Sequence, residues 1–204
     1  MKKNSLFARY YTVAENDHVN LQRSLLKWPA RYNYFEVRNK TFVIPQGQSQ
    51  FIREDIFNAE PIRRMVLALC PNNQFTGRWA DTPLAFHKHN LKRVRILRNG
   101  VPLVEYNTVS NTQLYFKTIE NLHFDQDGPL IKLSNYENHY YLVFDLTSTQ
   151  QSNQEIYYPE IVGAPIRVEL EFSTNTAAPL ELFVLGERFS TIQIDHTGKV
   201  LKHG

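Results

Sequence analysis

Two histidines separated by one residue are the strongest candidate for metal chemistry. In an extended segment, His87 and His89 point to the same side and would supply two imidazole ligands. A zinc site needs a further protein ligand, and no other histidine stands at a matching spacing. The incomplete ligand set favours surface histidines over a metal centre. We therefore expect no metal and no other cofactor.

Other reactive side chains also lack the context that catalysis needs. Cys70, the single cysteine, lies in the most apolar run of the chain, where burial keeps a thiol protonated. Asp125-Gln126-Asp127-Gly128 starts like a calcium loop, but Pro129 and the apolar residues after it break the ligand pattern. The chain has no glycine-rich phosphate loop and no Gly-x-Ser-x-Gly or His-Glu-x-x-His motif. We assign no catalytic residue and no metal ligand, and we predict that the protein is not an enzyme.

Residues 91–98, Leu-Lys-Arg-Val-Arg-Ile-Leu-Arg, form a basic segment. In a strand, Arg93 and Arg95 share one face. Lys92 and Arg98 would lie opposite. Such a face can contact a nucleic-acid backbone or form ion pairs with acidic side chains in solvent. The aromatic and glycine residues of an RNA-binding strand are missing, so we favour the solvated face and expect no specific nucleic-acid recognition.

Length and composition point to one folded domain. The chain has 204 residues, of which 42% are apolar and 21% charged, and its net charge is +3. One cysteine excludes a disulfide framework. No segment approaches the ~20 apolar residues of a membrane span. Met1-Lys2-Lys3 is not followed by an apolar stretch, so we also expect no secretory signal peptide.

The elements that would position these residues are mostly strands. Aromatic residues make up 13% of the chain and favour strands. Residues 166–172 alternate cleanly between apolar and charged side chains, and Asn99-Gly100 predicts a type I′ hairpin between residues 91–97 and 101–106. Further strands are predicted at 7–13, 34–44, 62–70, 140–146, 180–185 and 191–194. Residues 15–27 form a short helix or ordered arm, and a short helix is predicted at 116–124. The result is an all-β sandwich of roughly eight main strands with long loops.

A series of segments resembles one known family. The segments are Lys-Thr-Phe-Val-Ile-Pro-Gln-Gly at 40–47, Asn-Gln-Phe-Thr-Gly at 73–77, Tyr-Leu-Val-Phe-Asp-Leu-Thr at 141–147, Gly-Ala-Pro-Ile-Arg-Val-Glu-Leu-Glu-Phe at 163–172 and Phe-Ser-Thr-Ile-Gln-Ile-Asp at 189–195. Their order and spacing resemble the C-terminal part of the double-jelly-roll major capsid proteins of Polinton/Maverick elements and adintovirus-like viruses. The resemblance covers about residues 7–200 and rests on the ordered series.

The resemblance implies a jelly-roll fold and a structural role. The family builds trimeric capsomers from a subunit with two jelly rolls, whereas 204 residues hold only one. We therefore expect residues 34–204 to form a jelly-roll domain and residues 1–33 to be an N-terminal strand and arm of the same domain. Its partner would be a second copy, or a second jelly roll of the same capsid protein, together with other capsid proteins. The expected location is the virion, or otherwise the host cytoplasm or nucleus.

Large aromatic residues in predicted loops are the candidate self-association surface: Trp79, Tyr157 and Tyr158. The N-terminal arm, residues 1–27, would take part in the same association. Two alternatives stay open at this point. In a carbohydrate- or ligand-binding β-sandwich, the same aromatic residues would stack on sugar rings. A cupin-like enzyme would need a histidine-rich metal set, which the sequence does not display.

Overall fold

The computed structural model describes residue 12 and residues 14–77, 85–108, 110–122, 132–136, 139–147 and 163–203. This part of the chain contains nine strands and four helices. In chain order they are α1 (Glu15–Lys27), β1 (Ala30–Ile44), β2 (Gln50–Arg53), β3 (Ile62–Pro71), α2 (Asn72–Phe75), β4 (Leu91–Arg98), β5 (Val101–Asn107), α3 (Asn111–Leu122), α4 (Leu133–Tyr136), β6 (Tyr141–Asp145), β7 (Ile166–Phe172), β8 (Leu180–Ile194) and β9 (Val200–His203). No helix within these described residues is long and apolar enough to cross a membrane.

The strands form two sheets whose order is that of a jelly roll. Sheet I has the order β1-β8-β3-β6, with β9 pairing to β8, and sheet II has the order β2-β7-β4-β5. Apart from the β4–β5 and β8–β9 pairs, neighbouring strands are distant in sequence, because the chain passes back and forth between the sheets. Leu67 of β3 is opposite Val184 of β8, and Val94 of β4 is opposite Leu170 of β7. The predicted all-β jelly-roll sandwich is confirmed.

The chain divides into two compact units. The larger, which we call the body, comprises Phe35–Phe189, and the smaller, the terminal unit, comprises Met1–Tyr34 with Ser190–Gly204. The prediction that residues 1–33 are an arm of the same domain as residues 34–204 stays a prediction. The strand predicted at residues 7–13 lies outside the described residues apart from residue 12, which is in no strand.

The core of the body follows the period-two pattern of its strands. In β7, Val168 and Leu170 are buried while Glu169 and Glu171 lie on the outer face, as the sequence predicted. Facing positions in sheet I supply the other half of this core: Met65, Leu67, Leu69, Leu142, Phe144, Leu182 and Val184. The two sheets therefore bury one apolar face each, and their outer faces remain for other roles.

Several elements differ from the sequence prediction: α2, α4 and β9 were not predicted, and β1 begins at Ala30 rather than at residue 34. The two strands predicted at 180–185 and 191–194 are one strand, β8, which continues through Gly186. The helix predicted at 116–124 begins earlier, at Asn111, and ends at Leu122. Strand β2 was not predicted, because Gln50–Arg53 has only four residues and no clear alternation. The hairpin at Asn99-Gly100 is confirmed, with φ angles of 50° and 76°.

Candidate association surfaces

The histidine pair does not form a metal centre with any other described residue. The rings of His87 and His89 meet edge to face with their centroids 5.9 Å apart. Burial, followed by the neighbouring His87, lowers the pKa of His89 to about 4, so its imidazole is neutral at pH 7. Among the described residues, no three His, Cys, Asp or Glu side chains converge as a metal site would require.

Cys70 is a packing residue of sheet I. Its side chain is fully buried, and burial raises the pKa of the thiol to about 11, with a smaller contribution from Glu181 on the neighbouring strand. A thiol with this pKa is protonated at neutral pH and is a poor nucleophile. The position of Cys70 thus agrees with the packing role that the sequence favoured.

An open recess of about 390 Å³ lies beside the histidine pair. Lys88 donates hydrogen bonds here to the carbonyl of Thr108 and, at 3.3 Å, to Oδ1 of Asn111. These bonds link Lys88 to the residue that follows β5 and to the first residue of α3. The described residues that line the recess include no Trp, Tyr or Phe, and sugar recognition by stacking needs such a ring.

The outer face of sheet II is a lattice of ion pairs. Arg95 lies 3.0 Å from Glu105 and 3.4 Å from Glu169, and Arg93 lies 2.7 Å from Glu171. Each arginine is therefore matched by a carboxylate on a neighbouring strand, as the solvated-face interpretation predicted. A face neutralised in this way has little charge left for a nucleic-acid backbone.

The predicted position of Lys92 was wrong. A register shift between Leu91 and Arg93 lets both Lys92 and Arg93 reach Glu171, and the Lys92–Glu171 distance is 2.5 Å. The hydrogen bond from Lys92 lowers the pKa of the Glu171 carboxyl. A β-bulge thus adds a third cation to this face, which strict alternation does not predict.

The outer face of sheet I carries an exposed apolar patch. It consists of four side chains on β1 and β8: Phe35, Val37, Leu185 and Phe189. We call it the sheet-I patch. The Phe35 and Phe189 rings meet edge to face at 6.1 Å, and Val37 is 59% exposed. The contact between Phe35 and Phe189 distinguishes these side chains from apolar residues scattered singly on a surface.

An arginine completes the sheet-I patch. The guanidinium carbon of Arg63 lies 3.8 Å from the centroid of the Phe35 ring, and Arg63 Nε lies 3.0 Å from Glu187 Oε1. A register shift between Ile62 and Arg64 brings Arg63 to this face. Aromatic residues and arginine are the residue types enriched in protein interfaces.

A buried ion pair holds the two strands of the patch together. Arg188 donates two hydrogen bonds to Oε2 of Glu36, at 3.1 and 2.8 Å, and Arg188 is almost fully buried. Glu36 stands between Phe35 and Val37, so the pair fixes the backbone that presents both apolar side chains. The ion pair therefore joins β1 to β8, the two strands that carry the sheet-I patch.

Side chains of α3 and α4 cover the β6 edge of sheet I. Asn121 Nδ2 donates to the carbonyl of Val143 at 2.6 Å, and the Tyr136 hydroxyl donates to the carbonyl of Tyr141 at 2.7 Å. These are carbonyls that an added strand would otherwise bind. Association by strand addition at β6 is blocked by these side chains.

The described part of the terminal unit has several exposed apolar side chains, among them Leu21, Leu26 and Trp28. It contains α1, residues 30–34 of β1, residues 190–194 of β8, and β9, which pairs with β8 from Thr191 to Ile194. Thr191 Oγ1 donates to Asn33 Oδ1 at 3.0 Å. No apolar side chain is buried among the described residues of this unit.

The predicted association residues Trp79, Tyr157 and Tyr158 lie outside the described residues, and the structure places none of them. The sheet-I patch was not predicted from the sequence. A signal was present, since Phe35 and Val37 occupy alternate positions of the strand predicted at 34–44. Their outward direction depends on β1 pairing with β8, which the sequence did not show.

Comparisons with known proteins bear on the fold alone. No protein-family description and no curated protein matches the chain. Among solved structures, a chain in the 3.5 Å cryo-EM structure of the Sputnik virophage is 11% identical, with a TM-score of 0.53 over 86% of this chain and 39% of that one. PBCV-1 VP54, fitted into a cryo-EM reconstruction of Sputnik, is 9% identical, with a TM-score of 0.50 over 87% of this chain and 52% of that one.

The mavirus major capsid protein is a further structural match, 10% identical with a TM-score of 0.46 over 86% of this chain and 41% of that one. The chain thus spans about two fifths to one half of the solved chains that it matches. The likeness to the Sputnik and VP54 structures supports the jelly-roll β-sandwich fold that the strand order defines.

Proposed function

We propose that the protein is a capsid-type structural protein, a jelly-roll domain that self-assembles into a virus-like shell. The observation that carries the proposal is the sheet-I patch, an exposed apolar face with Arg63 stacked on Phe35. A shell protein must bury such a face against a neighbour. The solved structures of the same fold come from viruses, which agrees with this role.

The partners follow from the same proposal. The sheet-I patch would bind a second copy, or a second jelly roll of the same capsid protein, within a trimeric capsomer that also contacts other capsid proteins. The location would be the virion, or otherwise the host cytoplasm or nucleus, and the protein would not be an enzyme. The chain spans 39% to 52% of the solved chains it matches. Origin in a Polinton/Maverick or adintovirus-like element is part of the proposal.

The experiment compares two matched valines on the two sheets. Val37 in the sheet-I patch is 59% exposed, and Val101 at the start of β5 in sheet II is 62% exposed. We expect the wild type to form oligomers in sedimentation velocity across a wide concentration range. Val37→Ser should weaken association about tenfold or more, because it removes a buried apolar side chain from the contact. Val101→Ser should associate like the wild type.

Electron microscopy of the same samples identifies the assembly. Oligomers of uniform size or shell fragments would support a capsid-type role. A wild type that stays monomeric at every concentration, or equal losses from the two valine substitutions, would contradict it. Far-UV circular dichroism of each variant checks that the fold is kept.

The aromatic loop residues are a separate part of the proposal. Trp79, Tyr157 and Tyr158 would extend the contact surface beyond the sheet-I patch. Replacing all three with Ser should lower the association constant further in a Val37→Ser background. An unchanged association constant would remove these three residues from the proposed interface.

A further inference from the structure

The recess beside the histidine pair holds a cation without an acidic partner. Lys88 is partly buried, and its ammonium group donates to two neutral oxygen atoms, the carbonyl of Thr108 and Oδ1 of Asn111. No carboxylate of the described residues pairs with it. Most other Lys and Arg residues in the described part of the body pair with a Glu, as Arg93 and Arg188 do. An ammonium group that is partly removed from water is costly without an opposite charge, so Lys88 is suited to bind an anion.

The recess is large enough for a small organic molecule. Its volume of about 390 Å³ lies within the range of about 300–1,000 Å³ that is typical of small-molecule sites. The described residues that line it include Lys88 and Lys92 but no Asp, Glu or Arg. Lys92 shares its carboxylate partner, Glu171, with Arg93, so this carboxylate does not fully neutralise Lys92. The recess therefore combines a ligand-sized volume with an excess of positive charge.

Hydrogen bonds fix the backbone from which Lys88 extends. The Leu91 amide donates to the Lys88 carbonyl at 3.0 Å and closes a tight turn. The two central residues of this turn, His89 and Asn90, have φ angles of 49° and 59°, and positive φ is uncommon outside glycine. Ser173 supports the turn, because its hydroxyl and its amide donate to the Asn90 carbonyl at 3.2 and 2.9 Å. A site with an ordered backbone binds its ligand at a lower entropic cost.

We propose that this recess binds the phosphate group of a small organic phosphate, with Lys88 and Lys92 as the cations that contact it. Lysine binds phosphate as a point charge, whereas the planar fork of arginine matches a carboxylate best, and no arginine lines the described part of the recess. The described lining also has no aromatic ring, which favours a ligand without a nucleobase. The site shares no residue with the sheet-I patch, so this inference goes beyond the proposed function.

The first test measures the binding of glycerol 3-phosphate to the full-length chain by isothermal titration calorimetry. Low ionic strength is used, because salt screens the contact between exposed charges. Lys88→Gln removes the charge and keeps an N–H donor, so it should raise the dissociation constant at least about tenfold. Lys117→Gln replaces an exposed lysine that does not line the recess, and it should leave the constant within about twofold of the wild type. Equal constants for the wild type and Lys88→Gln would overturn the proposal.

A second variant keeps the test valid if Lys88→Gln does not fold. The side chain of Lys92 is 53% exposed, so Lys92→Gln should unfold at nearly the temperature of the wild type. It should still raise the dissociation constant about threefold or more, because one of the two cations is lost. Far-UV circular dichroism of each variant reports on the fold. A Lys92→Gln variant that binds like the wild type would overturn the proposal and leave Lys88 a structural role only.

Three further probes define the class of ligand. Inorganic phosphate should bind more weakly than glycerol 3-phosphate, because the glycerol moiety fills more of the recess. Acetate that binds as tightly as inorganic phosphate would overturn the assignment to phosphate. A single-stranded oligodeoxynucleotide that binds more tightly than glycerol 3-phosphate, and loses binding in Lys88→Gln, would overturn the assignment to a small molecule.

The outcomes separate this inference from the proposed function. A wild type that stays monomeric but binds glycerol 3-phosphate through Lys88 would support the phosphate site and contradict the capsid-type role. A wild type that assembles into shell fragments but binds no phosphate probe would overturn the phosphate site alone.

Discussion

Gly186 lies in the middle of β8, where the Phe57 ring leaves no room for a side chain. It lies opposite Met65 within sheet I, and the Phe57 ring occupies the space where a side chain would stand. A Cβ at this position would lie 2.5 Å from Phe57 Cζ, far inside van der Waals contact. We therefore predict that Gly186→Ala lowers the free energy of unfolding by about 1–3 kcal/mol through overpacking, as measured by urea denaturation.

A double variant tests whether the clash with Phe57 is the cause of the expected loss in Gly186→Ala. Phe57→Leu removes the ring atoms that a Cβ at position 186 would meet, so Gly186→Ala should cost less in a Phe57→Leu background than alone. Phe57 is buried, and Phe57→Leu by itself should also destabilise the body. Strictly additive losses would show that the clash is not the reason for glycine at this position.

Substitutions at Leu170 and Arg167 compare the buried and the outer face of β7. Leu170 is buried opposite Val94, whereas Arg167 is partly exposed and pairs with Glu54 and Glu169. Leu170→Ala should lower the free energy of unfolding by about 2–5 kcal/mol. Arg167→Ala should cost below about 1 kcal/mol, since exposed ion pairs contribute little. Thermal or urea unfolding would decide, and similar losses would contradict the assigned faces.

The lowered pKa of His89 predicts that the protein loses stability in acid. Its pKa in the folded protein is about 4, below the ordinary value of 6.5, because the imidazole is buried near His87. Between these two values the unfolded chain binds more protons at this position, so the contribution of His89 to stability falls as the pH drops from 6.5 to 4. The pH dependence of unfolding should be flatter in His89→Gln over this window. An equally steep dependence in the variant would assign the effect to other groups.

Sequence patterns correctly predicted which residues are buried where a strand alternates strictly between its two faces. Leu170 and Cys70 are buried as their apolar neighbours predicted. Patterns were insufficient where a bulge changes the face. Both Arg63 and Lys92 stand at register shifts, and no residue type marks these positions in the sequence. The sheet-I patch includes one of them, which is one reason why it was not predicted.

Helix α3 protects the edge strand β6 from pairing with an added strand. Asn121 donates to the carbonyl of Val143 and, at 2.9 Å, to the hydroxyl of Tyr106. Asn121→Ala would leave the half-buried carbonyl of this strand edge without its side-chain donor. We predict a loss of about 1–2 kcal/mol in the free energy of unfolding. Lys117, on the same helix and paired with Glu120 in solvent, offers the control, because Lys117→Ala should be nearly neutral.

At the scale of elements, the sequence predicted the strands, helices and turns that are marked by residues a few positions apart. The Asn99-Gly100 turn was predicted because its two residues carry the signal themselves. Residues 15–27 were predicted as a short helix or ordered arm, and the end of that segment was predicted from Trp28-Pro29. Strand β2 and the continuity of β8 depend on pairing with β7 and β3, which are distant in the chain. Long-range pairing leaves no short-range signal, so these elements appeared only in the structure.

At the scale of the molecule, the outer faces of the two sheets differ in kind. Sheet II presents arginines neutralised by glutamates, and sheet I presents the apolar sheet-I patch with Arg63 paired to Glu187. Exposed charges favour hydration, whereas an apolar face gains free energy by leaving water. Sheet II also exposes apolar side chains such as Ile52 and Leu103, so the contrast is between its ion-paired arginines and the contact of Phe35 with Phe189 on sheet I.

This difference predicts how association responds to salt. Raising the ionic strength from about 0.1 to about 1 M shortens the Debye length from about 10 to about 3 Å, which weakens contacts between exposed charges but not apolar ones. The ratio of the dissociation constants of Val37→Ser and the wild type should therefore stay the same at both salt concentrations, because both side chains are uncharged. Sedimentation velocity at the two concentrations measures this ratio. A ratio that falls to about one in high salt would mean that charges, and not the apolar side chains of sheet I, hold the copies together.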